Sequence, residues 1–126
     1  MSFRTAKARV TGLGSAGEGT HHWWVQRVSS IALIPLTLFF VPHFAGVLGE
    51  GHEAVQALYA KPFHAIVAAL FMAVTFHHLQ QGLQVVIEDY VHAKGWRTSL
   101  LLGNTFLCAV AGFASVFAIL KLAFAG

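Results

Sequence analysis

Residues 62–87, PFHAIVAALFMAVTFHHLQQGLQVVI, form a run of 26 residues without a formal charge. Two further charge-free runs lie on either side of it, 22 residues long over 28–49 and 23 residues long over 98–120. An α-helix needs about 20 predominantly apolar residues to cross the roughly 30 Å hydrocarbon core of a bilayer. Each run is long enough, so the sequence predicts an all-α integral membrane protein with three transmembrane helices.

The composition argues against a soluble helical bundle. Of 126 residues, 56% are hydrophobic and only 13 carry a formal charge, so the rest of the chain cannot supply a polar shell around three helices that are apolar on every side. We place the helices at about 23–48, 62–88 and 98–124. The segment from Gly49 to Lys61 carries charges, and we predict a short loop there that allows one amphipathic turn.

The basic residues predict an orientation. Residues 1–17 combine arginine and lysine with a Gly/Ser-rich run, which favours a flexible, basic N-terminal arm ahead of an anchor domain over 18–126. Six basic residues fall on the N-terminal side of the predicted membrane and two on the other. The six are Arg4, Lys7, Arg9, Arg27, Lys94 and Arg97, and the two are Lys61 and Lys121. By the positive-inside rule the N-terminus is cytoplasmic and the C-terminus lies on the opposite side.

The sequence lacks the motifs that mark several common cofactor-binding and metal-binding sites. Cys108 is the single cysteine and lies within the third apolar run, which leaves no disulfide framework and no paired-thiol metal site. No CxxCH, GxGxxG or P-loop motif occurs, so neither a covalent haem nor a dinucleotide or phosphate cradle is expected. No nucleic-acid partner is expected either. Redox chemistry would have to come from a non-covalent cofactor or from a partner protein.

The second predicted helix contains a polar cluster, FHHLQQGLQ over 76–84. His78 lies ten residues before Glu88, which is about 15 Å along a helix and close to the bilayer midplane. Ionisable groups at that depth are costly and commonly mark function. A neutral imidazole suits a haem iron, and Gly82, one turn further on the same face, would let a flat ring lie against the backbone. These residues leave three interpretations open: a haem ligand, a packing histidine and a proton relay.

The neighbours of His78 are weaker candidates. His77 points about 100° away on a helix, so it cannot bind the same iron and becomes the ligand only if the other face is used. The three glutamines of the cluster are typical of hydrogen bonds between membrane helices. They are Gln80, Gln81 and Gln84.

A second polar group is predicted at the cytoplasmic boundary. Arg27, Ser29 and Ser30 open the first helix, and Asp89 and Tyr90 follow the second. A helical hairpin would bring them to one level. A phenol can donate to a carbonyl oxygen and a guanidinium can hold a propionate, so this level suits an amphipathic ligand. Interfacial arginine and tyrosine also anchor helices, and the residues leave both interpretations open.

Three features resemble the small hydrophobic membrane-anchor subunit of bacterial succinate dehydrogenase, the shorter of the two anchors of respiratory complex II. They are the segment HWWVQRVS from His22 to Ser29, the His78-x-x-x-Gly82 element, and the Asp89-Tyr90-Val91 ending of the second helix. The third helix resembles that subunit by length and hydropathy only.

The resemblance implies a role for each of these residues. In that family two anchor subunits together hold one haem b between two histidines, one from each, and frame a ubiquinone site near the cytoplasmic surface. By that resemblance His78 would be the ligand of the haem iron, with Gly82 beside the ring. Tyr90 would hydrogen-bond a quinone carbonyl with Asp89 as its neighbour, and Arg27 would contact a haem propionate or the quinone.

The resemblance also implies partners and a location. The partners would be a larger cytochrome b anchor subunit, an iron–sulfur subunit and a flavoprotein subunit, assembled at the bacterial inner membrane. Succinate would be oxidised in the soluble subunits, and this chain would contain no succinate-oxidising site. The alternatives are the anchor of a fumarate reductase-type complex, and a small proton-relay or structural membrane subunit.

Overall fold

The computed structural model describes residues 5–11 and 19–125. The helices are α1 (Ala6–Thr11), α2 (Gly19–Ala45), α3 (His52–Tyr59), α4 (Pro62–Tyr90) and α5 (Lys94–Phe124). Within the described residues α2, α4 and α5 are the helices long and apolar enough to cross a membrane. The predictions of an all-α fold and of three transmembrane helices are confirmed.

Most helix ends extend beyond the charge-free runs, although α2 ends within its own run. Helix α2 begins at Gly19 and α5 at Lys94, each four residues before the predicted start, and α2 ends at Ala45 rather than near residue 48. Helix α4 continues through Asp89 and Tyr90, two residues beyond its predicted end. Hydropathy marks only the part of a helix that lies in hydrocarbon, whereas backbone hydrogen bonding continues into the interface. The N–H of Val91 still donates to the Ile87 carbonyl at 3.0 Å.

The segment between the first two spans, predicted as a short loop with one amphipathic turn, contains the eight-residue helix α3. Two glycines with positive φ angles, Gly49 at 89° and Gly51 at 90°, turn the chain before this helix. Val55, Leu58 and Tyr59 have the i, i+3, i+4 spacing of one apolar face, and they pack with the buried core. The glutamic acids and histidine at the start of the segment concealed this short amphipathic helix in the sequence.

The predicted N-terminal arm lies partly outside the described residues. Its residues 1–4 and 12–17 are not among them, and between these segments α1 spans Ala6–Thr11. The flexibility of the arm stays a prediction.

Helix α4 is the central helix and packs against both α2 and α5. The buried cluster beside α3 contains Phe40, Tyr59, Ala65, Ala68 and Ile119. Alanines let membrane helices approach closely, since van der Waals packing is a main source of helix association in lipid. Burial also raises the pKa of the Tyr59 phenol by desolvation, so Tyr59 stays neutral. This end of the hairpin is therefore well packed.

Polar side chains join α4 to α5. Asn104 is buried and its Nδ2 donates to the Gln80 carbonyl at 2.8 Å, while Gln80 Nε2 reaches Thr105 Oγ1 at 3.5 Å. The amides of Gln81 and Gln84 instead bond within α4, to His77 and Glu88. Within the described residues, Gln80 therefore joins two helices as predicted, whereas Gln81 and Gln84 bond within their own helix.

Gly112 lets α5 pack closely against Phe76 of α4. A Cβ atom built at Gly112 would lie 3.2 Å from Phe76 Cβ, whereas one at Gly103, on the same helix, meets nothing within 4 Å. We expect Gly112→Leu to force the helices apart at a cost of about 1–3 kcal/mol and to lower the melting temperature of the purified protein. Gly103→Leu is the matched control and should melt like the parent. Equal melting temperatures for the two variants would contradict this packing.

Candidate functional site

A cleft between α2 and α4 contains His78. Its volume is about 520 Å³, and it is lined by Gly19, His22, Trp23, Gln26, Arg27, Ser30, His78 and Val85. The α2 residues recur at intervals of three and four, so they form one face of that helix. His78 and Val85 are two turns apart on α4. We call this space the α2–α4 cleft.

A hydrogen-bond chain holds the His78 ring. His78 Nδ1 lies 2.8 Å from Ser29 Oγ, and the Ser29 hydroxyl donates to the Gln26 carbonyl at 3.0 Å. A hydroxyl has a single hydrogen. Because that hydrogen points to the Gln26 carbonyl oxygen, Ser29 Oγ can only accept from His78, which must therefore donate its Nδ1–H. We assign this tautomer from the hydrogen-bond network, and it leaves Nε2 of His78 with a lone pair for a ligand.

Gly82 lies on the same side of α4 as His78. A Cβ atom at this position would meet Gln26 Nε2 at 3.8 Å, which is ordinary van der Waals contact. The packing of α2 on α4 therefore does not require a glycine here. A role for Gly82 beside a flat ring stays a prediction.

Arg27 lies in the cleft with His78 and is exposed. Its guanidinium carbon is 5.5 Å from the ring centroid of Trp23, within the range of a cation–π contact. Within the described residues, Arg27 contacts this ring rather than the Asp89 carboxylate. The positive charge is therefore available to a ligand in the cleft.

Asp89 and Tyr90 lie outside the cleft. Both are exposed on the last turn of α4, and 79% of the Tyr90 surface is accessible. Tyr90 follows His78 by twelve residues, or about 18 Å along the helix axis. The structure therefore brings His78 and Arg27 together, with Gly82 close by, and leaves the Asp89-Tyr90 pair at the open end of α4.

Comparison with known proteins identifies the family to which this chain belongs. The family model described as "Succinate dehydrogenase/Fumarate reductase transmembrane subunit" matches residues 1–120 of the chain. The chain belongs to this family. It is a multi-pass membrane protein, and the resemblance noted from its motifs is confirmed at the level of the family.

Relatives of this transmembrane subunit align over most of its length. The succinate dehydrogenase hydrophobic membrane anchor subunit of Paracoccus denitrificans is 34% identical over 122 residues, covering 97% of this chain and 94% of the relative. The protein of the same name from Rickettsia conorii is 28% identical over 119 residues, covering 93% and 94%. The membrane anchor subunit of Reclinomonas americana is 28% identical over 82 residues, covering 63% and 68%. No solved structure matches the chain.

His77 of this transmembrane subunit faces away from the cleft. It lines a separate groove of about 490 Å³ together with residues of α5 that include Thr105 and Cys108. Its Nε2 lies 3.1 Å from Gln81 Nε2, so the amide donates to the ring. The two adjacent histidines thus lie on different sides of α4, as helical geometry predicts.

Sequence reasoning placed Ser29 at the cytoplasmic boundary rather than against His78, and it assigned no role to His22 or Gln26. Ser29 holds His78, while His22 Nε2 and Gln26 Oε1 are buried and have no partner among the described residues. A buried polar atom without a hydrogen-bond partner costs roughly 1–3 kcal/mol. His22 and Gln26 are four residues apart on α2, so their shared face was visible in the sequence. The register of α2 on α4, which pairs Ser29 with His78, was not visible in the sequence.

Proposed function

We propose that the chain is the membrane-anchor subunit of a succinate:quinone oxidoreductase in the bacterial inner membrane, with its N-terminus in the cytoplasm. The names of its relatives from Paracoccus and Rickettsia support the succinate dehydrogenase side of the family. The proposed partners are a larger cytochrome b anchor subunit, an iron–sulfur subunit and a flavoprotein subunit, which carry the succinate chemistry.

His78 is proposed as one axial ligand of a b-type haem shared with the larger anchor. The observation that carries this proposal is the Ser29 contact, because a hydrogen bond at Nδ1 fixes the ring and makes Nε2 the ligating nitrogen. The Arg27 charge in the same cleft suits a propionate. The unpaired His22 Nε2 and Gln26 Oε1 atoms provide further polar contacts for a ligand. A bound haem supplies one-electron transfer.

The quinone-side role is proposed for the end of α4. The Tyr90 hydroxyl can donate a hydrogen bond to a quinone carbonyl, and Asp89 lies beside it. Both residues are exposed, so partner subunits are needed to form the other walls of such a site. This chain would then supply one wall and one hydrogen-bond donor.

Ser29→Ala tests whether this residue tunes the His78 ligand. We expect the haem to be retained, while its midpoint potential rises because the imidazole loses its Nδ1–H acceptor and becomes a weaker donor to iron. A hydrogen bond worth about 1 kcal/mol corresponds to roughly 40 mV for a one-electron couple. A potentiometric titration of the haem absorbance in the purified complex measures the shift.

Ser30→Ala is the matched control. The Ser30 hydroxyl also donates to the Gln26 carbonyl, at 2.9 Å, but does not bond to His78. This variant should keep the parent potential. Equal shifts in the two variants, or no shift in Ser29→Ala, would contradict the role of Ser29.

A further inference from the structure

Two more histidines face each other at the opposite end of the α2–α4 hairpin. His43 lies in the last turn of α2 and His64 in the first turn of α4, with ring centroids 5.0 Å apart and ring planes at 70°. His64 precedes His78 by fourteen residues, or about 21 Å along α4. This pair is therefore separate from the α2–α4 cleft and from the residues of the proposed function.

The hydrogen bonds of the pair leave nitrogen lone pairs available. His43 Nδ1 lies 2.7 Å from the Phe39 carbonyl oxygen. A carbonyl only accepts, so Nδ1 carries the proton, and Nε2 of the neutral ring has a free lone pair. Metal-bound histidines commonly donate their other N–H to a backbone carbonyl in this way. His64 Nδ1 is buried and has no partner among the described residues.

The spacing of the rings fits two ligands of one ion. With metal–nitrogen bonds of about 2.0–2.1 Å and a tetrahedral angle, two imidazole centroids lie roughly 5 Å apart, which matches the separation of His43 and His64. The cavity beside them has a volume of about 10 Å³, close to that of a single water-sized occupant. Phe39 stacks on His43 at 4.3 Å and 20°, which restrains the plane of that ring.

We propose that His43 and His64 bind one divalent transition-metal ion of the zinc class, with water at the exposed side of His43 completing its coordination. Within the described part of the chain no group of three or more His, Cys, Asp or Glu residues is placed to hold a metal ion, so the protein supplies two ligands. Two ligands give weak and exchangeable binding. The ion would link the end of α2 to the start of α4.

Zinc binding by the intact complex tests this proposal. The complex is purified through a tag without histidines, stripped with a chelator and dialysed against Zn²⁺. We expect saturable binding by the parent, weakened about tenfold or more in His43→Gln and in His64→Gln, because glutamine keeps a polar side chain but is a poor zinc ligand. His52→Gln, an exposed histidine of α3, is the control and should bind like the parent.

Thermal unfolding provides a second measurement that separates metal binding from misfolding. An ion that binds only the folded state raises its melting temperature, so Zn²⁺ should stabilise the parent and His52→Gln but neither site variant. If one site variant fails to assemble, the other decides the question. Parent-like zinc binding in the assembled site variants, or no saturable binding in the parent, overturns the proposal.

Discussion

His78→Ala is expected to remove the proposed b-type haem from the purified complex almost completely. The alanine supplies no ligand, and His77 cannot replace it because that ring lies in the groove between α4 and α5. Loss of the imidazole also leaves the Ser29 hydroxyl without the hydrogen bond that it accepts from Nδ1–H of His78. The ratio of haem to flavin, from the reduced-minus-oxidised spectrum and the flavin content of the same sample, measures the effect.

His77→Ala is the matched control, since it removes an imidazole at nearly the same membrane depth. It should retain the parent haem content and spectrum, because the ring contacts Gln81 rather than the α2–α4 cleft. If His78→Ala retains the haem, or if His77→Ala alone loses it, then His78 is not the ligand and the proposal has chosen the wrong face of α4.

Tyr90→Phe is expected to lower the turnover of succinate with quinone about tenfold while leaving the haem in place. The substitution removes only the hydroxyl, and a factor of ten corresponds to a hydrogen bond worth about 1.4 kcal/mol at the transition state. Electron transfer from succinate to a water-soluble dye that accepts from the soluble subunits should not change. Parallel assays with quinone and with the dye separate the two steps.

Tyr59→Phe serves as the control for this substitution. Tyr59 is buried beside the core at the other end of the hairpin, far from the last turn of α4, so its hydroxyl should not affect quinone reduction. Parent-like turnover of Tyr90→Phe, or an equal loss with the dye, would argue against a quinone contact at Tyr90.

The transmembrane helices were predictable because lipid imposes a simple rule on the sequence. A charge-free run of sufficient length must form a helix in hydrocarbon, so α2, α4 and α5 follow from composition. Helix α3 does not follow from composition, because eight residues are too few to give a hydropathy signal. Its charged start resembles a loop, and only its packing on Phe40 and Ile119 shows which face is buried.

The site was predictable in part. Position along one helix follows from counting residues, so His78 could be placed near the middle of its helix and separated from His77 by the turn of the helix. The contact with Ser29 depends on the rotation and register of α2 against α4, which two apolar helices do not reveal. The exposure of Tyr90 and the facing rings of His43 and His64 depend on the same tertiary arrangement.

The most direct test of the central claim is the composition of the complex that contains this chain. The chain is tagged, extracted from membranes in mild detergent and purified, and its haem, flavin and co-eluting subunits are quantified. The account predicts one b-type haem and one flavin per copy of the chain, together with a larger anchor and an iron–sulfur protein. A chain that elutes without flavin and iron–sulfur partners, or a complete complex that contains no haem, would contradict it.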